Sequence, residues 1–445
     1  MILVLIIFIN KVGATTENIT NTQTSTSDTN FSLYCTNVLA MDAESSNILY
    51  EKSGYDKVYP ASTTKIMTAI LAIENLNLSD KIEATKKALY SIPSDSSAMG
   101  IKVGEIFTVE ELLYGLMLPS GNDAANVLAI ATSGEINNFV SLMNEKAKEL
   151  GCKNTHFVNA HGYFDENHYT TPYDMAIILQ YALKNDTFRK IIETHTYTLP
   201  VTNKTDKEVV LTNSNKLFDK NNPKTYYEYV LGGKTGYTIE SRGTFVGYAK
   251  KDDKLVIVAA FNGSQNVNGS QARFLDSITL WNYAFDNYKK DLILNKEDLK
   301  VAVIDKANKS KYIIKNDEEL YSLIKKGNDK SLRIINYDIN LDKDIIKNLS
   351  DKDNSNKDNL GNINITITGD NLNAQYTSKL SLKEKSTYHN FFNFTDILTR
   401  KNITYIVIFI SFIILIICIK KLNKLNKNNK YNDIFTYSRR RKSRR

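Results

Sequence analysis

Cysteine is scarce in this chain of 445 residues, which holds only Cys35, Cys152 and Cys418. So few thiols exclude a disulfide-rich scaffold. No Cys/His group has the spacing of a metal site, so neither a metal nor a cofactor is expected. Cys35 and Cys152 are expected as two buried thiols, with a bridge between them left open. Long internal repeats are absent. An excess of positive charge is also absent from most of the chain, although the formal net charge is +8. Between Lys420 and Arg445, eleven Lys and Arg stand against one acid, Asp433, so the tail carries +10 and everything before it −2. A diffuse basic surface for nucleic acid is thereby excluded, and no nucleic-acid partner is expected.

Apolar sequence concentrates at the two ends. Met1 to Ala14 reads MILVLIIFINKVGA, an apolar run closing on small residues, which suggests an export signal even though a basic start is missing; a buried strand is the alternative. A polar spacer, 15–30, follows. Asn402 to Ile419 is nearly unbroken apolar sequence between Lys401 and Lys420, at the short end of what spans a bilayer. With the +10 tail behind it, the positive-inside rule puts residues 420–445 in the cytoplasm and the body outside, in single-pass attachment to the cell membrane. The remaining sequence divides into a domain over 31–290, a smaller β-sandwich-like domain over 291–382 and a stalk over 383–401.

Within the first domain, Ser32 to Lys52 reads as a β-hairpin turning at Glu44 to Asn47. Ser62 to Leu78 reads as a buried helix, apolar on more than one face. Thr108 with Glu111 forms a capping-box pattern for a helix through Leu118, and Pro119 ends it before another helix from about Asp123. A helix over Pro172–Lys184, strands over Tyr229–Thr238, Gly243–Ala249 and Leu255–Asn262, and a helix over Ser270–Tyr288 complete the pattern. Helices amid an antiparallel sheet make the class α+β. Short β-like runs follow at Leu299–Ile304, Lys311–Ile314, Ser331–Ile339 and Asn362–Thr368.

Three short motifs stand in order: Ser62-Thr63-Thr64-Lys65, Ser120-Gly121-Asn122 and Lys234-Thr235-Gly236. Each alone is common by chance, but each falls where its chemistry needs it. A serine hydroxyl needs a base, and a lysine three residues along a helix lies one turn away on the same face. Burial and a second cation such as Lys234 would hold Lys65 neutral. Ser62 follows Pro60-Ala61 in the first turn, so its backbone N–H is free for an oxyanion. Ser120 can relay a proton, Asn122 can hold a substrate amide, and Lys234 and Thr235 offer a cation and a hydroxyl to a carboxylate. Gly236 lets a substrate strand come close to the edge of the sheet. Structural alternatives are a capping serine, a helix-joining turn and a glycine bend.

The segments ASTTKIMTA, PSGNDAAN, NAHGYFDENHYTTPYDMA and GGKTGYT resemble the low-molecular-mass penicillin-binding proteins that act as serine D-alanyl-D-alanine carboxypeptidases, over about Phe31 to Tyr288. The resemblance implies a β-lactamase/penicillin-binding-like catalytic domain, peptidoglycan stem peptides as substrate and β-lactams as inhibitors. It makes Ser62 the acylated nucleophile, Lys65 its base, Ser120 and Asn122 the second motif, and Lys234, Thr235 and Gly236 the third. It further implies Tyr237 N–H as the second oxyanion donor and Arg273 as an aid to carboxylate binding. His161 and Asp174 are expected to hold loops. A C-terminal β-domain belongs to the family pattern, whereas the hydrophobic span and basic tail depart from its usual amphipathic anchor. Competing readings are a class A β-lactamase, which would need a deacylating glutamate that Glu166 in DENHYTT does not resemble, a D,D-endopeptidase, and a non-catalytic wall-binding scaffold, which would be expected to lose Ser62 or Lys65.

Overall fold

The computed structural model describes residues 2–6, 31–90, 92–296, 300–305, 310–327, 334–341, 362–369 and 372–387. By contact the chain divides into two units, one of Ile6–Val301 with Ile313–Lys383, the other of Met1–Leu5, Ala302–Tyr312 and Glu384–Arg445. In the latter, the described backbone is extended, within the strands Ile2–Ile6, Lys300–Asp305, Ser310–Asn316 and the end of Leu372–Thr387. Thus part of the segment read as an export signal takes the strand conformation that its composition also allows. The rest of that segment, the spacer, most of the stalk, the membrane span and the basic tail lie outside the described residues. Among the described residues, no helix is long and apolar enough to cross a membrane.

The larger unit is built on a five-stranded antiparallel sheet. Its strands are β1 (Asn37–Asp42), β2 (Ile48–Lys52), β3 (Val230–Thr238), β4 (Arg242–Lys251) and β5 (Lys254–Gly263), in the order β2-β1-β5-β4-β3. The third motif therefore lies on an edge strand, whose outer side is open to an added strand. Alternation explains the apolar runs. Along β5, Val256, Val258 and Ala260 pack on one face with Leu280 and Trp281, while Ile257, Ala259 and Phe261 pack on the other with Ile66 and Ile70. Both faces are covered, so the strand has no polar side to show. The first cover is α6 (Ala272–Asn287), pinned by Trp281 Nε1 donating to Val256 O at 3.0 Å. The second is a helical cluster around α1 (Lys65–Asn75), α2 (Val109–Met117), α3 (Asn122–Ser133), α4 (Ile136–Glu149) and α5 (Pro172–Ala182). This arrangement is the α+β class read from the sequence.

One local difference and one agreement matter for the site. The expected single helix from Ser62 is a 3₁₀ turn, Ala61–Thr64, leading into α1. The Thr108–Glu111 capping box is present, with both reciprocal hydrogen bonds, and α3 starts at Asn122. Helix α4 was not read from the sequence; it buries only Phe139, Met143 and Ala147, a thin stripe in a polar segment. Cys35 is a buried free thiol and Cys152 a half-buried one, so no bridge joins them. After α6, strand β6 (Tyr288–Leu294) pairs with β7 (Leu320–Lys325), and β8 (Ile334–Leu341), β9 (Asn362–Gly369) and β10 (Leu372–Thr387) pair as an antiparallel run. Buried Asp42 accepts from Ser45 Oγ at 2.5 Å and from Leu323 N at 2.9 Å, tying β7 to the β1–β2 turn.

Candidate active site

The start of α1 is fixed from three sides. Pro60 O accepts from Thr63 Oγ1 at 2.7 Å and from Thr244 Oγ1 of β4 at 3.1 Å. Ala61 is held at φ 48°, a left-handed conformation costly for any residue with a Cβ, and Ser120 is held at φ 69°. One strained position directly precedes the nucleophile Ser62, and the other is the first residue of the second motif. Gly162, at φ +86°, packs so closely that a Cβ there would run into the Ala61 carbonyl. Gly236 is equally constrained: a Cβ on it would lie 2.8 Å from Ser62 N, so only glycine lets the edge strand close on the nucleophile turn.

Lys65 is fully buried, and its Nζ has three neighbours: Asn122 Oδ1 at 2.6 Å, His161 O at 2.7 Å and Ser62 Oγ at 2.9 Å. The first two can only accept. A neutral amine has two N–H groups and one lone pair, so these two acceptors take both protons and leave the lone pair facing the serine hydroxyl. The charge state favours this. Burial, then the Lys234 cation, pull Lys65 well below the ordinary lysine range, against a smaller opposing effect of Asp123.

Asn122 is positioned by its neighbours in turn. Its N–H donates to Ser97 O at 2.9 Å, while the next residue, buried Asp123, accepts from Met99, Gly100 and Ile101 N–H at 2.8, 2.7 and 3.0 Å. The loop over 97–101 is thereby wrapped round the start of α3. Sequence reading missed Asp123, although its signal was visible as an acid in the first turn of a helix. Ser120 is 7% exposed, and its hydroxyl has no hydrogen-bond partner among the described residues.

The loop carrying His161 is held by His168. His168 Nδ1 accepts from Val158 N–H at 3.1 Å, which requires its Nε2 to carry the proton and donate to Thr64 Oγ1 at 2.8 Å. Burial first, then Lys65, lower His161 to about 3; burial lowers His168 to about 3 as well. Neither ring carries charge at neutral pH. Asp174 accepts from Asn154 N–H at 2.9 Å and Thr155 Oγ1 at 2.8 Å, which ties a loop.

The third motif closes the site. Lys234 is 1% exposed and donates to Thr235 O at 3.1 Å. Burial and then Arg273 lower it to about 7. Arg273, 8% exposed, donates from Nη1 to Gly236 O at 2.5 Å and from Nη2 to Gln271 Oε1 at 2.6 Å, so its guanidinium grips the backbone of the motif strand. Tyr237, on the same strand, is 53% exposed. Glu166 lies elsewhere, in a cavity of about 390 Å³ shared with Asn37, Lys57 and Glu240. Among the described residues no hydrogen bond joins it to Ser62 or Lys65.

The family model described as D-alanyl-D-alanine carboxypeptidase matches residues 22–265. The chain belongs to this family. It is 35% identical over 297 residues to the D-alanyl-D-alanine carboxypeptidase DacF of Bacillus subtilis (strain 168), covering 65% of this chain and 72% of that one. It is 34% identical over 258 residues to the D-alanyl-D-alanine carboxypeptidase of Streptomyces sp. (strain K15), covering 55% and 85%. The crystal structure of the Streptomyces K15 DD-transpeptidase superposes with a TM-score of 0.53 at 32% identity, covering 58% of this chain and 100% of that one. The D-alanyl-D-alanine carboxypeptidase of Mycobacterium tuberculosis H37Rv gives 0.54 at 27% identity, covering 60% and 96%. The fold of the larger unit is thus the penicillin-binding/β-lactamase-like α+β fold.

Proposed function

We propose that this chain releases the terminal D-alanine of peptidoglycan stem peptides through an acyl-enzyme on Ser62, and that β-lactams acylate the same serine. The observation that carries the reading is the set of three contacts around Lys65, which aims a lone pair at Ser62 Oγ. Lys65 takes the Ser62 proton as Oγ attacks the scissile carbonyl. The carbonyl oxygen gathers negative charge between Ser62 N–H and Tyr237 N–H. Ser120, whose hydroxyl is uncommitted, gives its proton to the departing amine and takes in return the one Lys65 drew from Ser62, so that the amine leaves and Lys65 is neutral again. Asn122 holds Lys65 and faces the substrate amide. Water then repeats the sequence on the ester, with Lys65 again as base.

Lys234, Thr235 and Arg273 give this reading its substrate end. Lys234 and Arg273 are two cationic side chains exposed by 1% and 8%, and among the described residues no ion pair joins either to a carboxylate. A substrate carboxylate supplies the counter-charge they lack, through charge-assisted bonds to Lys234 and Thr235, while Arg273 contributes its charge across the strand it grips. Amidating that carboxylate leaves the scissile bond intact and removes the charge. The expected result is a fall in kcat/KM of on the order of tenfold for each roughly 1.4 kcal/mol of transition-state binding lost. Steady-state D-alanine release from matched acid and amide peptides measures it. Equal turnover of the two would refute the carboxylate subsite and shift weight to endopeptidase or β-lactamase chemistry.

We further propose, from the sequence, that 402–419 anchors the chain in the cytoplasmic membrane with the body outside and the +10 tail inside. A chain cut before Asn402 is expected to be soluble and to bind penicillin. Protease added to cells stripped of their wall is expected to digest the body, and a protected body would overturn the orientation.

A further inference from the structure

We infer that Ser214 is a positioning residue for the carboxylate subsite: it donates to Thr235 Oγ1 and thereby turns the Thr235 proton toward the substrate. The inference rests on the carboxylate reading above and deepens it. Ser214 lies between the strand Val209–Thr212 and the 3₁₀ turn Lys216–Phe218, outside all three motifs. Its backbone N–H donates to Leu118 O at 3.1 Å, two residues before Ser120, and its Oγ lies 2.7 Å from Thr235 Oγ1. One residue therefore joins the backbone leading into the second motif to the reactive side chain of the third.

Its own position is not free to drift. Asn213 N–H donates to His195 O at 2.8 Å and Asn213 Nδ2 to Thr194 O at 2.9 Å, while Asn215 Oδ1 accepts from Leu217 N–H at 3.1 Å. The two residues flanking Ser214 are 9% and 2% exposed. A half-buried serine held on both sides by buried asparagines presents its hydroxyl from a fixed base.

Proton counting decides the direction of the bond. Each hydroxyl owns one proton. If Thr235 donated to Ser214, a carboxylate arriving at Thr235 would meet only lone pairs. With Ser214 donating, Thr235 Oγ1 accepts and its proton is free for the carboxylate oxygen. Lys234 Nζ donates to the Thr235 carbonyl at 3.1 Å, and among the described residues no hydrogen bond joins it to Thr235 Oγ1. The chain Ser214 O–H to Thr235 O–H to carboxylate moves no proton and leaves every group satisfied.

Ser214→Ala removes the donor and leaves Thr235 free to turn. The expected result is a rise of about tenfold in KM for a peptide ending in D-alanyl-D-alanine, equivalent to about 1.4 kcal/mol, with a smaller change in kcat. KM for the matched terminal amide is expected to move less than twofold, and Ser214→Thr is expected to restore the acid. A general loosening of the fold would lower acid and amide turnover together, and that outcome, or an unchanged KM for the acid, overturns the inference. If wild type fails to discriminate acid from amide, the carboxylate reading falls and takes this inference with it. If wild type discriminates and Ser214→Ala discriminates equally well, only the role of Ser214 falls.

Discussion

Ser62→Ala is expected to abolish both the covalent penicillin adduct and the release of D-alanine, with no loss of folded protein. The side chain is small, half-buried and set on a turn whose backbone is fixed by Pro60, Thr63 and Thr244 rather than by the hydroxyl. Removing one oxygen deletes one contact, the 2.9 Å approach to Lys65 Nζ, and Lys65 keeps its other two acceptors. The stability cost is therefore about 1 kcal/mol or less, the size of one hydrogen bond. Chemistry is expected to be lost, because among the described residues Ser62 carries the one hydroxyl hydrogen-bonded to Lys65 Nζ, whose other two partners are the carbonyl oxygens of Asn122 and His161. Mass measurement of the intact protein after incubation with penicillin reads the result directly. An adduct surviving on the variant, or mapping to another serine, would sink the assignment.

The three motifs were legible in the sequence because each is short and local. Lys65 follows Ser62 by one turn, the Thr108–Glu111 box marks the helix before Ser120, and alternating apolar residues mark the strands that flank Lys234. The opposite holds for the groups that make the site work. His161 O, which accepts from Lys65, is a backbone carbonyl 96 residues away and leaves no trace in residue type. Ser214 lies 21 residues before Thr235 in a loop of unremarkable polar residues, and only the fold brings the two hydroxyls together. The left-handed turn at Ala61 is concealed because alanine is not a residue that announces positive φ. A helix was expected from Ser62, and the 3₁₀ turn replaced it because Pro60 O takes Thr63 N–H three residues on, closing a tighter turn.

Lys65→Arg is expected to slow acylation by penicillin by on the order of 10³, within the range of a general base, because it fixes a positive charge where the wild type holds a neutral amine. Arginine does not give up its proton in proteins, so it supplies no lone pair. Its planar fork also cannot reproduce the placement of one nitrogen among Asn122 Oδ1, His161 O and Ser62 Oγ. The pH dependence separates loss of the base from loss of packing. In the wild type, acid protonates Lys65 and consumes the lone pair, so the acylation rate falls as pH drops through the pKa of Lys65. That pKa lies well below the ordinary lysine value, because burial and Lys234 both oppose the charged form. The falling limb is therefore expected well to the acid side of a free lysine. It should vanish in Lys65→Arg, whose residual rate has no titrating base. Lys65→Met, apolar and of similar length, keeps the cavity filled without a charge and is expected to be equally slow. Stopped-flow acylation rates across pH, with thermal unfolding as the check on folding, measure both variants. A folded Lys65→Arg or Lys65→Met that acylates within tenfold of wild type, or that keeps the same acid limb, would move the base to another group.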